Sequence, residues 1–304
     1  MNILSTKNIT NIKVTTMKTL KEALFNKKNI ENDESNLKYE FTGETMKHNG
    51  HTLHRIRALK NIGIVKKGDE GGWIEDYYNL SQEGNCWVSD EAIVYEKARV
   101  YENAILFDEA EVYGNAQVYG NAIIWDSSEV YQYGNVYGNA KLYDNSKVYG
   151  TGKVFSSAVL NQQAQVCGAA SVSGSVELYH NVKIYGETEI DSNGDISDNV
   201  EVYGKAKIYS STQLYGDAHI YGNAVIQGET YIAGEAKVYD DAVIDGTSEI
   251  LGKSKIYGNS KITNSSINGN VYILGNSIIS DCKIDCKATR QIKDKNLDNI
   301  TIIS

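Results

Sequence analysis

Every sixth residue from Val88 to Ile262 is valine, isoleucine or leucine, a run of thirty positions without an exception. Neither the period of an α-helix, about 3.6 residues, nor the alternation of a hairpin strand explains a strict period of six. A fixed repeat of this kind is the sequence signature of a solenoid, in which successive units stack and share one core. The repeat therefore predicts an all-β rod.

The remaining positions of each repeat predict a short strand followed by a corner. Four residues after each aliphatic residue stands, with few exceptions, a small or short-branched residue, from Ala98 to Ser266. Between them lie residues that tolerate a positive φ, as in VYGNAQ (112–117), where glycine precedes asparagine. One large and one small inward side chain per hexad predict a narrow core.

This motif resembles that of the hexapeptide-repeat proteins, which fold into a left-handed parallel β-helix with three hexads per coil. The resemblance implies the handedness and a triangular cross-section. Thirty hexads then predict about ten coils and, with about 4.8 Å between stacked strands, a rod roughly 50 Å long. After Ile262 the aliphatic positions slip by one residue to Ile267, Ile273 and Ile279, which we interpret as the start of a C-terminal cap.

Four regions are expected along the chain. Residues 1–37 form an N-terminal extension, in which MKTLKEALFNK (17–27) has the apolar spacing of a short helix. Residues 38–87 combine a β-hairpin around Asn49-Gly50 with an N-terminal cap, in which Trp73, Ile74 and Trp87 plug the first coil. Residues 88–267 form the β-helix, and residues 268–304 form its last coils and the C-terminal cap.

The segment GGWIEDYYNLSQEGNCWV (71–88) is similar to the N-terminal segment of the YdcK-like hexapeptide-repeat proteins. This family is found in bacteria and phages, and its members are often labelled acyltransferases. The resemblance covers this segment and the general repeat. It implies an acyl-CoA donor such as acetyl-CoA, a catalytic histidine acting as a general base, and a loop that covers the pantetheine arm in a trimer.

The repeat lacks the loop that this activity requires, because no insertion interrupts it between Val88 and Ile262. The histidines of this stretch are His180, at the corner of its hexad, and His219, which is expected to point outward. His180 is the candidate for a catalytic base, and the alternative is a corner or surface histidine. We therefore expect an interaction protein without a cofactor rather than an enzyme.

Residues 18 apart stack if three hexads form a coil, so the residues that follow the aliphatic positions sort into three outward faces. One face has tyrosine at nine of ten positions and Cys167 at the tenth, and the other two are aromatic mainly toward the N-terminal half. Stacked tyrosines stabilise neighbouring coils and also suit an interface, so a structural and a binding role are both open. The candidate binding face consists of Tyr95, Tyr113, Tyr131, Tyr149, Tyr185, Tyr203, Tyr221, Tyr239 and Tyr257.

Charge is divided unevenly along the chain. Residues 1–67 carry 13 Lys or Arg and 6 Asp or Glu, whereas residues 68–286 carry 13 and 31. An acidic rod repels phosphates, so we expect a protein partner or self-association as a homo-oligomer, and no direct nucleic-acid binding. One version is a phage or prophage inhibitor that imitates nucleic acid for a host nucleic-acid-handling factor. The alternatives are an acyltransferase that uses an acyl-CoA donor and a glycan-binding rod.

The cysteines and the hydropathy predict a cytoplasmic, reduced protein. No stretch is apolar enough to span a bilayer, and the first residues lack the apolar region of a signal peptide. Four scattered cysteines are too few for a disulfide framework. They are Cys86, Cys167, Cys282 and Cys286.

Two groups of residues have spacings that can occur in metal sites, and neither predicts one. Cys282 and Cys286 have no second cysteine pair nearby, as a structural zinc site would require. His48, His51 and His54 lie in the predicted hairpin, where residues 48 and 51 are expected to face each other as a solvated cross-strand pair.

Overall fold

The computed structural model describes residues 37–304, which form a parallel β-solenoid of about 13 turns. The predicted all-β architecture is confirmed. The predicted helix at residues 17–27 lies outside the described residues. Within residues 37–304, no helix is long and apolar enough to cross a membrane.

Each coil contributes one short strand to each of three parallel ladders, and a strand pairs with the strands one coil before and one coil after it. Ile124, for example, lies between Leu106 and Leu142 in register. Backbone hydrogen bonds join the coils along the rod, such as Trp125 N to Leu142 O at 2.9 Å. With about 4.8 Å per coil, 13 turns extend roughly 60 Å.

The three ladders define three faces, which we call the tyrosine face, the second face and the third face. The tyrosine face consists of Glu70–Ile74, Ile93–Val94, Glu111–Val112, Glu129–Val130, Lys147–Val148, Gln165–Val166, Lys183–Ile184, Glu201–Val202, His219–Ile220, Lys237–Val238, Lys255–Ile256 and the later parts of Ser266–Leu274 and Lys283–Lys293. The second face consists of Trp87–Val88, Ile105–Leu106, Ile123–Ile124, Lys141–Leu142, Val159–Leu160, Glu177–Leu178, Asp195–Ile196, Gln213–Leu214, Tyr231–Ile232, Glu249–Ile250, the earlier parts of Ser266–Leu274 and Lys283–Lys293, and Thr301–Ile303. The third face consists of Arg99–Val100, Gln117–Val118, Asn135–Val136, Lys153–Val154, Ser171–Gly174, Glu189–Ser192, Lys207–Ser210, Val225–Ile226, Val243–Asp245, Lys261–Thr263, Ile278–Ser280 and Asn296–Asp298.

The core follows the repeat. All thirty aliphatic positions from Val88 to Ile262 are buried, and the small residues four positions later fill the space between them. Where that small residue is polar, its hydroxyl in most coils donates to the carbonyl three residues earlier, as Thr188 does to Tyr185 O at 2.7 Å, whereas Ser128 and Ser146 bond to each other at 3.2 Å. The hydroxyl is therefore satisfied inside the core.

The expected number of about ten coils was too low, because coils of irregular length extend the ladders at both ends. At the N-terminal end Ile74 pairs with Val94, and the bridge of Leu80 to Val100 completes an early coil. At the C-terminal end the slip after Ile262 shortens a coil by one residue instead of ending the ladder. Residues 268–304 are further coils up to Thr301–Ile303, so the slip does not begin a separate cap.

A hairpin covers the N-terminal end of the rod, as predicted. Strand β1 (Tyr39–His48) pairs antiparallel with β2 (His51–Ala58), and β2 pairs antiparallel with β3 (Glu70–Ile74), which joins the tyrosine face. The sequence GGW requires its glycines, because a Cβ atom at Gly72 would lie 2.4 Å from Ala92 O. The antiparallel hairpin thus covers the first edge of the parallel ladder.

Two of the three predicted plugging residues lie in the core. Ile74 and Trp87 are buried in the continuous hydrophobic core. The prediction for Trp73 was wrong, because this side chain packs on the outside of the coil with Leu53 and Tyr95 in a separate cluster. Side chains alternate along a strand, so the neighbours Trp73 and Ile74 point in opposite directions.

Candidate interaction surface

The predicted tyrosine ladder is present as a stack of parallel rings. From Tyr95 to Tyr149, and again from Tyr185 to Tyr257, adjacent ring centroids are 4.7–5.2 Å apart and the planes differ by 11° or less. Parallel rings this close must overlap face to face with an offset. The ladder therefore shows ring edges and hydroxyls to the solvent, while its ring faces are covered by neighbouring rings.

Two of the tyrosine hydroxyls donate to glutamates beside the ladder. Tyr113 donates to Glu129 at 3.1 Å, and Tyr185 donates to Glu201 at 3.2 Å. Burial and the nearby Glu201 carboxylate raise the pKa of Tyr185 to about 12. Burial and the flanking rings likewise raise the pKa of Tyr239 to about 12. These two tyrosines thus stay neutral well above physiological pH.

Cys167 interrupts the ladder between Tyr149 and Tyr185. Those two tyrosines are two coils apart, or roughly 9.6 Å along the rod, and the half-buried free thiol of Cys167 lies between them. The stack is therefore divided into a block of four rings and a block of five.

A row of aspartates occupies the corner between the second face and the tyrosine face. Asp90, Asp108, Asp126 and Asp144 all have positive φ values of 52–59°. The carboxylates of Asp90, Asp126 and Asp144 accept backbone N–H groups of the next coil, as Asp126 does from Asp144 N at 3.0 Å. A corner N–H that points along the rod is thereby satisfied. Positive φ and a short polar side chain explain aspartate at this position.

Together with Glu109, these four aspartates form what we call the acidic edge. In the described part of the chain, none of the five is ion-paired with a lysine or arginine. Five charges over four coils correspond to about one charge per 4 Å, close to the roughly 3.4 Å per charge along one DNA strand. The acidic edge was not predicted from the sequence. Comparing corner residues at intervals of 18 positions would have shown the repeated aspartates.

Aromatic side chains flank the acidic edge on the second face. Each precedes an aspartate in sequence, in the pairs Phe107-Asp108, Trp125-Asp126 and Tyr143-Asp144. The Phe107 and Trp125 rings stack at 4.5 Å, and Trp125 is 37% exposed. On the third face, a second stack runs through Tyr101, Tyr119, Tyr137 and Phe155. The aromatic bias that the sequence predicted for the N-terminal half is therefore a set of stacked rings.

His180 occupies the same corner as the acidic edge, two coils beyond Asp144. The backbone N–H of Asp198 donates to His180 Nδ1 at 3.3 Å, in the way that other corner N–H groups donate to aspartates. The same Nδ1 also lies 3.3 Å from Asp198 Oδ1, so this nitrogen faces both a donor and an acceptor of Asp198. His180 lines an open cleft of about 370 Å³ with Gln163 and Asn181.

The tip of the hairpin docks on the first ring of the ladder. His48 and His51 face each other across the turn, as predicted, and both rings contact Tyr95. His48 Nε2 lies 2.9 Å from Glu111, and His51 Nδ1 lies 2.9 Å from Glu75. The pair is therefore only partly solvated, because each imidazole is also held by a carboxylate of the solenoid. An open cleft of about 900 Å³ adjoins this contact.

Among residues 37–304, no group of three or more His, Cys, Asp or Glu side chains is arranged to hold a metal ion. His54 stacks on Phe41 at 4.6 Å. No protein-family model matches the chain, and no curated protein matches it.

Proposed function

We propose that this chain is a non-enzymatic interaction protein whose acidic edge and adjoining aromatic faces bind a basic surface of another protein. The observation that carries the proposal is the row of unpaired carboxylates beside exposed rings in the N-terminal half. Arginine and lysine side chains suit such a surface, because they pair with carboxylates and stack on aromatic rings. A partner that normally binds nucleic acid fits best, since the charge spacing is close to that of a nucleic-acid strand.

The second half of the solenoid supports this proposal as an internal comparison. At the same corner it has Asp198 and then Gly216, Gly234 and Gly252, and the coils with glycine keep the same backbone hydrogen bonds and the same core. Glycine adopts a positive φ readily, so the corner itself needs no charge. The carboxylates of the acidic edge therefore exceed what the fold requires, as is expected of residues retained for binding.

The alternatives are supported less well by the geometry. Glycan recognition uses exposed aromatic ring faces, whereas most ring faces of the tyrosine ladder are covered by neighbours. Acyl transfer on a hexapeptide-repeat fold needs a loop that covers the pantetheine arm, and no insertion interrupts the repeat between Val88 and Ile262. Under the proposal the protein acts in the cytoplasm, as an inhibitor of a nucleic-acid-handling factor, without a cofactor.

A pull-down with matched variants tests the proposal. The full chain, immobilised, is exposed to a bacterial extract depleted of nucleic acid, and bound proteins are identified by mass spectrometry. Asp108→Asn, Asp126→Asn and Asp144→Asn together should abolish capture of basic nucleic-acid-binding proteins, and added duplex DNA should displace them from the unaltered chain. Asparagine still accepts the corner N–H, so the fold is preserved.

The control removes three charges from the second half, with the substitutions Asp217→Asn, Asp240→Asn and Asp241→Asn. This variant should capture the same proteins as the unaltered chain. Equal loss in both variants, or capture that DNA does not affect, would overturn the proposal. A third variant, Tyr185, Tyr203 and Tyr221 to serine, shows whether the tyrosine face takes part in the same contact.

A further inference from the structure

Lys38 is a fully buried lysine at the N-terminal end of the solenoid. Its side chain is 0% exposed, although lysine is almost never fully buried without a charged partner. Its Nζ atom lies 2.9 Å from Cys86 O, 3.0 Å from Cys86 Sγ and 3.4 Å from Glu83 O. The partners of this amine are thus two backbone carbonyls and one thiol, with no carboxylate among them.

Both members of the pair are fixed in place. The Lys38 backbone is held on each side, by its N–H to Gln82 Oε1 at 2.8 Å and by its carbonyl, which accepts from Leu59 N at 2.9 Å. Cys86 is fully buried, and its N–H donates to Glu102 O at 2.9 Å. An amine nitrogen and a sulfur atom are therefore held in contact, between residues far apart in sequence.

We infer that Lys38 and Cys86 form a redox-sensitive modification site, at which hydrogen peroxide produces a covalent sulfur–nitrogen bond. In the first step the sulfur attacks peroxide, the O–O bond breaks, and the thiol becomes a sulfenic acid with release of water. In the second step the Lys38 nitrogen attacks that sulfur, the S–O bond breaks, and a second water leaves with a proton from the amine. The product is a sulfenamide, which two equivalents of a thiol reductant convert back to amine and thiol.

The surroundings favour both steps. Burial lowers the pKa of Lys38, which increases the fraction of nucleophilic neutral amine. Above the pair, residues 83–85 form an exposed bend, so opening of this short segment would admit a small oxidant.

The other cysteines are internal controls. Cys282 and Cys286 are buried like Cys86, but no lysine amine is hydrogen-bonded to either in the described part of the chain. Cys167 is half-buried and lies beside tyrosine rings. Peroxide can oxidise these thiols, but among residues 37–304 only Cys86 has an amine hydrogen-bonded to its sulfur and so in position to capture the sulfenic acid.

The test treats the full chain with hydrogen peroxide and measures intact mass and linked peptides. We expect a species that has lost two hydrogen atoms, a linked peptide pair containing Lys38 and Cys86, and reversal by dithiothreitol. The bond joins the start of the hairpin to the first coil, so the melting temperature should rise on oxidation and fall again on reduction.

Two variants distinguish the cross-link from simple oxidation. Cys86→Ala should give no linked peptide and no rise in melting temperature. Lys38→Met should lose the cross-link while Cys86 goes on to sulfinic acid, which gains two oxygen atoms. The inference is overturned if Cys86 of the unaltered chain stays reduced while Cys167 is oxidised, or if it reaches sulfinic acid without the linked peptide.

Discussion

Coils before and after Cys167 share one backbone but present different surfaces. Before it, aromatic stacks lie on all three faces and aspartates form a charged corner. After it, only the tyrosine face keeps a long stack, and glycines take over much of the same corner. Inward residues are buried equally in both halves. The buried core is common to both halves, so every coil needs it. The additional aromatic stacks and the row of aspartates are features of the first half.

The largest expected effect concerns the buried core that both halves share. Leu142→Ala in the first half and Leu214→Ala in the second each remove a fully buried side chain. Each should lower the free energy of unfolding by about 2–5 kcal/mol, because a cavity adds to the lost burial. Urea denaturation, monitored by circular dichroism, measures the free energy of unfolding of each variant. Values that differ by more than the error would show that the two cores are not equivalent.

High pH tests the ladder that runs through both halves. Folding raises the pKa of Tyr185 and Tyr239 from 10.0 to about 12, so the folded state holds these protons more tightly than the unfolded state. The stability they contribute is complete below pH 10 and is lost as the pH rises toward 12. Phenolate absorbance and circular dichroism should change together in that range. Ionisation near pH 10 in a chain that stays folded would contradict the stacked ladder.

Filling the interruption should join the two blocks of rings. Cys167→Tyr adds one ring between Tyr149 and Tyr185 and creates two new stacking contacts. At about 0.5–1.5 kcal/mol per aromatic pair, this variant should be more stable by about 1–3 kcal/mol. The control is Cys167→Ser, which adds no ring and should not raise the melting temperature. A tyrosine variant no more stable than the serine variant would show that the gap does not fit a ring.

The smallest effect concerns the acidic edge. Asp108→Asn, Asp126→Asn and Asp144→Asn remove like charges about 4.8 Å apart, each pair of which repels by about 1 kcal/mol or less in water. The triple variant should gain a few tenths of a kcal/mol of stability, and the gain should shrink in high salt. The corresponding second-half variant lacks this repulsive row and should not gain. Melting temperatures at two salt concentrations compare the two triple variants. A loss of stability in the acidic-edge variant would mean that its carboxylates stabilise the folded state.

The sequence predicted those features that repeat. The period of six identified each inward residue and the tyrosine positions, because every coil places the same position in the same environment. Asn49-Gly50 likewise predicted the hairpin and the opposed His48 and His51. These predictions depend on local turn chemistry and strand alternation alone.

Features that depend on a single tertiary contact could not be predicted in this way. The coil that begins at Ile74 was missed because two extra residues separate it from Val94. The burial of Lys38 depends on the bend before Cys86, which has no counterpart elsewhere in the repeat. The carboxylate partners of His48 and His51 were missed because they come from coils that are distant in sequence.

The orientation of the coil-to-coil hydrogen bonds has a mechanical consequence. These bonds run along the long axis, as in Trp125 N to Leu142 O, so a force that pulls the ends of the rod apart loads the interfaces in series. Each coil that peels away releases 18 residues, which extend to about 60 Å. When the molecule is stretched from its ends, its length should therefore increase in steps of nearly equal size. Only the irregular coils near the ends should give steps of a different size.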